Sequence, residues 1–150
     1  MKQLMRQNET MKNNLFILKT ISIIPKTEEI RHKYWEIYQI EYNRKMPYEV
    51  YIDFLKNWDQ YDFLYSEEDN CYFTDYKTAK EFAENNASDI NDGGVFNYIG
   101  IIEVPFNCTY AFGEVASLHI FKYNRENDNY TEVPENYNKE TEYIFKKFKI

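Results

Sequence analysis

Apolar and polar positions along this 150-residue chain switch between two periods, one of about two residues and one of between three and four. NLFILKTISII, residues 14–24, mixes alternation with β-branched residues and stops at Pro25, which predicts a strand with one face more buried than the other. Thr27 then offers an N-cap, Glu28 and Glu29 complement the helix dipole, and Ile30, Tyr34, Ile37, Tyr38 and Tyr42 recur at helical spacing. A helix over about 27–43 is expected. Pro47 suits the first position of a second helix, in which Tyr51, Phe54, Leu55 and Trp58 form an i, i+3, i+4, i+7 stripe.

YDFLY (61–65) and CYF (71–73) predict the two strands of a hairpin around the polar loop SEEDN. Thr74 or Asp75 caps the helix KTAKEFAENN, whose Ala79, Phe82 and Ala83 make a narrow face suited to close packing on a sheet. SDINDGG (88–94) is a turn, VFNYIGIIEV (95–104) the central strand, and EVASLHIFKY (114–123) a further strand, with a short one at 130–133. KETEYIFKKFKI closes the pattern as a helix with Ile144, Phe145 and Phe148 inward. The order predicts a single α+β domain over 14–150, with a mainly antiparallel sheet of about five strands and helices packed on one face. Its expected core includes Phe16, Leu18, Tyr34, Ile37, Phe54, Leu55, Phe82, Ile99, Ile101, Leu118 and Ile120. Residues 1–13 are polar and aperiodic and are expected to be a flexible tail, in which Met11 offers a second start.

Two cysteines, Cys71 and Cys108, are too few for a disulfide framework and lack metal-type spacing, so reduced thiols in a cytoplasmic protein are expected. The N-terminal stretch lacks an apolar h-region, and the Leu15–Ile24 run is too short to span a bilayer. Fifteen Tyr, 11 Phe and 2 Trp supply enough aromatic surface for a dense core, and any exposed Tyr would suit a binding face.

Charge changes the picture more than composition does. The total is −7, but residues 1–50 carry net +3, residues 51–100 net −8 and residues 101–150 net −2. The acidic middle would repel nucleic-acid phosphates and attract a basic surface.

Few residues offer catalysis. His32 lies between Arg31 and Lys33, the setting of a solvated side chain, whereas His119 sits on a strand face with Ser117 and Phe121. No Walker loop, G-x-G-x-x-G, H-E-x-x-H or G-x-S-x-G is present, and Asp89, Asn91 and Asp92 fail as a calcium loop because Gly93 takes the fifth position. Glu103 lies on the central strand but is followed by Val104 and Pro105, not by a nuclease-type carboxylate and lysine set. No catalytic, metal or cofactor residue is therefore assigned.

CYFTDYKTAKEFA followed by VFNYIGIIEVP resembles the middle of ADP-ribosyltransferase-like domains, over a quarter of the chain. That resemblance implies an Arg or His on an early strand and a late Glu; here the early strand offers Lys19, and Glu132, Glu135 and Glu142 compete for the last role. Two functions remain open. The first is a non-enzymatic inhibitor of the phage or mobile-element kind, a nucleic-acid mimic that occupies the basic surface of a nucleic-acid-handling protein. It would bind through Asp59, Asp62, Glu67, Glu68 and Asp69, with neither nucleic acid nor membrane as a direct partner. The alternative is an ADP-ribosyltransferase-like or other small-ligand enzyme, with Tyr72, Thr74 and His119 at a cleft beside the DINDGG loop.

Overall fold

β1 (Asn14–Pro25) pairs antiparallel with β3 (Tyr98–Pro105), placing Leu18 opposite Ile101. The computed structural model describes residues 14–41, 47–58, 62–91, 93–105 and 115–148. β4 (Ser117–Asn124) and β5 (Asn129–Val133) extend the sheet beyond β3, and β2 (Phe63–Phe73) flanks β1, giving the order β2-β1-β3-β4-β5. The helices are α1 (Glu28–Glu41), α2 (Pro47–Trp58), α3 (Tyr76–Asn85), α4 (Ala87–Ile90) and α5 (Lys139–Phe148). The class is α+β with a five-stranded antiparallel sheet, as the pattern predicts, and β3 is the middle strand.

The chain divides into two compact units, residues Ile24–Tyr65 and the described residues on either side of that segment. In the larger unit, successive β3 residues serve opposite faces. Ile99 and Ile101 join Leu18, Phe121 and Tyr130 under Ala79 and Ala83 of α3 and Ala87 and Ile90 of α4. Ile102 and Val104 join Ile17, with Leu118 and Phe148 of α5 packed against them. The helical cover is therefore on both faces of the sheet, not on one. The reason is legible in β3 itself, where Tyr98, Ile99, Ile101 and Ile102 are all fully buried, so neither face can be left to water. Small side chains let α3 approach closely, and a Cβ added to Gly100 would meet Ile21 Cδ1 at 3.2 Å. Asp75 is the N-cap of α3: its carboxylate accepts from the Thr78 N–H at 2.8 Å, which holds its pKa below the usual value.

Three boundaries differ from the pattern. Residues 66–70 form no hairpin loop; they run through the middle of one continuous β2. Charge is tolerated there because β2 is an edge strand with those residues exposed. Residues 87–90 are a short helix, and only then do Gly93 and Gly94 turn the chain at φ +70° and +93°. β3 starts at Tyr98, because the Asn97 side chain closes the ladder by accepting from the Ile23 N–H at 3.0 Å and donating to the Ile23 carbonyl at 2.7 Å.

In the Ile24–Tyr65 unit, α1 and α2 pack through rings. Trp35 meets Tyr51 edge-on at 4.9 Å and Phe54 at 5.4 Å, and Tyr38 donates to Asp53 at 2.5 Å. Tyr34 and Ile37, expected in the core, are 40% and 51% exposed: Trp35 and Tyr38 pack on the buried Phe54 of α2, while Tyr34 meets the ring of Trp58 at the end of α2, at 6.2 Å. Phe54 is buried as expected, while Phe16, Leu55, Phe82 and Leu118 are half-buried. No helix among the described residues is long and apolar enough to cross a membrane.

Candidate functional site

The acidic run on β2 is organised by one buried cation. Lys19 of β1 has a side chain only 4% exposed, and its Nζ lies 2.7 Å from Asp69 Oδ1 and 3.5 Å from Glu67 Oε1. Removing an ammonium from water is costly, and the two carboxylates across the strand pair supply the compensating charge. The Thr20 hydroxyl donates to the Glu68 carbonyl at 3.3 Å, and the Tyr72 hydroxyl to Asp69 Oδ2 at 2.9 Å. Glu67 and Asp69 thus face inward work as well as solvent, whereas the Glu68 side chain is exposed beside them.

The five predicted contact residues divide accordingly. Glu67, Glu68 and Asp69 are brought together on the outer strand of the larger unit. Asp62 is exposed and belongs to the other unit, where its carbonyl accepts from the Lys26 N–H at 3.3 Å. Asp59 lies outside the described residues. Among the described residues β2 has a strand neighbour on one side only, β1.

The residues of the enzyme alternative are arranged differently. Thr74 is exposed, and Tyr72 is tied to Asp69 as described. His119 stacks on Tyr76 of α3, ring centroids 4.3 Å apart, with its Nδ1 2.8 Å from Glu132 Oε2 on β5. Lys80 Nζ lies 3.6 Å from the other Glu132 oxygen, to which the Tyr76 hydroxyl donates at 3.4 Å. Burial, followed by the charge of Glu132, pushes the Tyr76 phenol well above its usual range. The Glu132 carboxylate gathers three donors onto itself and fixes the imidazole, an arrangement that suits orienting a histidine for proton transfer. The Ser117 hydroxyl, two residues away, donates instead to Glu103 Oε1 at 2.7 Å, whose other oxygen accepts from Asn14 at 2.6 Å.

Sequence reasoning reached His119 and carried Glu132 as one of three candidates for a late Glu, but missed Tyr76 and Lys80. Tyr76 and Lys80 are four apart on α3, which places them on one helix face, and that spacing was the available signal. Among the described residues no three His, Cys, Asp or Glu side chains converge as a metal site. Cys71 is a free, half-buried thiol whose pKa burial pushes up; Cys108 lies outside the described residues. No protein-family model, curated protein or solved structure matches this chain.

Proposed function

We propose that this chain is a binding protein that docks the basic surface of another protein on its β2 edge, in the manner of inhibitors that imitate a phosphate backbone. The observation that carries the reading is the exposed run Glu67, Glu68 and Asp69 on the outer strand of the sheet. A charged edge discourages apolar strands from adding to the sheet, while a Lys- or Arg-bearing surface meets complementary potential there. The Lys19 pairing adds rigidity, so the carboxylates are held in place before a partner arrives. A nucleic-acid-handling protein is the partner class that offers such a surface.

The test separates the exposed charge from those tied to Lys19. Wild type and Glu68→Lys, each immobilised, are used to recover host proteins, and the partner retained by wild type is then measured in solution. Association is expected to slow in Glu68→Lys, and to slow more than dissociation changes when salt rises from about 50 to about 200 mM. Equal association rates for the two proteins would defeat the reading.

A second reading, a small-ligand enzyme of the ADP-ribosyltransferase-like kind, draws on the His119–Glu132 contact at 2.8 Å. It expects NAD turnover that falls on Glu132→Gln, since the imidazole loses its orienting carboxylate. Wild-type protein that leaves NAD intact counts against it.

A further inference from the structure

At the edge of the sheet opposite β2, an open cavity of about 730 Å³ lies between the Gly93–Gly94 turn, the β4–β5 hairpin and the segment leading to α5. Gly94, Asn97, Lys122, Arg125, Thr131 and Tyr137 are among the residues that line it. The volume falls within the range of roughly 300 to 1,000 Å³ typical of small-ligand sites. Its chemistry contrasts with the rest of the chain. In a protein of net charge −7, Lys122 and Arg125 bring two cations to one cavity, and neither forms an ion pair among the described residues.

The neighbouring carboxylates are largely committed elsewhere. Glu132 holds His119 and Lys80, and Asp128 accepts from the Tyr123 hydroxyl at 2.6 Å. Glu126 is the remaining carboxylate lining the cavity, and it is exposed to water, whose high dielectric weakens its attraction for the two cations. The guanidinium of Arg125 lies over the turn, 3.8 Å from where a Cβ on Gly94 would stand. Tyr137 adds a ring that is 52% exposed, a flat apolar surface with no core to fill.

We propose that this cavity binds a small phosphate-bearing molecule with a flat ring, of nucleoside-monophosphate size. Lys122 and Arg125 take the phosphate, with charge-assisted hydrogen bonds that the fork of Arg125 is shaped to make, and Tyr137 takes the ring. The proposal is independent of the acidic β2 edge, which lies at the other side of the sheet.

AMP is the probe, titrated calorimetrically into the full chain, with adenosine and inorganic phosphate as separate ligands. AMP is expected to bind with a Kd below about 1 mM and more tightly than adenosine. Lys122→Ala and Arg125→Ala are each expected to weaken AMP by at least about 10-fold, the loss of one hydrogen bond to a charged group. Tyr137→Leu should weaken AMP while leaving phosphate binding unchanged. Arg125 is exposed at the hairpin turn, so its variant keeps the fold and carries the test even if Lys122→Ala unfolds. No binding of AMP up to about 10 mM would overturn the proposal. So would unchanged affinity in Arg125→Ala, adenosine binding as tightly as AMP, or amide shifts on AMP addition that bypass Gly94, Lys122 and Tyr137.

Discussion

Ile101→Ala and Ile102→Ala are each expected to lower the unfolding free energy by about 4 kcal/mol, as large-to-small changes at fully enclosed sites do. The two residues are adjacent on β3, so their side chains point to opposite faces, and both are 0% exposed. Ile101 is enclosed by the α3–α4 layer with Leu18 and Phe121; Ile102 is enclosed with Ile17 and Val104 on the α5 side. Each truncation removes the transfer free energy of three carbons and leaves a cavity that the rigid strand ladder cannot collapse. A sheet covered on one face would make one variant costly and its neighbour nearly silent. Denaturant unfolding with the slope unchanged decides it: a loss below about 1 kcal/mol for either variant would mean that its face is not closed.

The double variant Glu67→Gln with Asp69→Asn is expected to cost about 3 kcal/mol, the lower end for stripping the partners from a buried charge. The lower end applies because the two carboxylates are 32% and 28% exposed, so water already shares in solvating the pair. Lys19→Met should cost much less than the double variant, because it removes the buried charge, keeps most of the methylene packing and frees the carboxylates to water. Glu68→Gln, on the same strand but exposed, should stay within about 0.5 kcal/mol of wild type. Chemical unfolding of the three proteins at one pH checks the order, and a double variant as stable as Glu68→Gln would show that Lys19 needs no counter-charge. Reversing Glu67 and Asp69 to lysine would set two more cations beside a buried ammonium, so the binding edge is tested at Glu68.

Most elements were legible because their signals are local. Pro25 ends β1, the i, i+3, i+4 stripe marks α2, Asp75 caps α3, and Gly93 and Gly94 supply the positive-φ turn. What was hidden depends on partners far apart in the chain. SEEDN has the composition of a loop, and only the buried Lys19, 48 residues before Glu67, explains why it continues as a strand. The same holds for α1, where either Tyr34 with Ile37 or Trp35 with Tyr38 could face inward by spacing alone. The buried Phe54 of α2 decides it, since it meets Trp35 and Tyr38, while Tyr34 reaches Trp58 at the helix end. The His119 cluster was half visible: the histidine stands out in the sequence, but Glu132 reaches it only through the β4–β5 register, in which Phe121 pairs with Glu132.

Hydrogen exchange on the complex with the recovered partner tests the proposed docking edge most directly, because it reports backbone protection without a mutation that disturbs Lys19. The amides of residues 66–70 on β2 are expected to slow on binding, while those of the β4–β5 turn at 125–128 exchange as in the free protein. Protection confined to the β4–β5 turn, or to α1 and α2, with β2 unchanged, would contradict the assignment of the acidic strand as the binding edge.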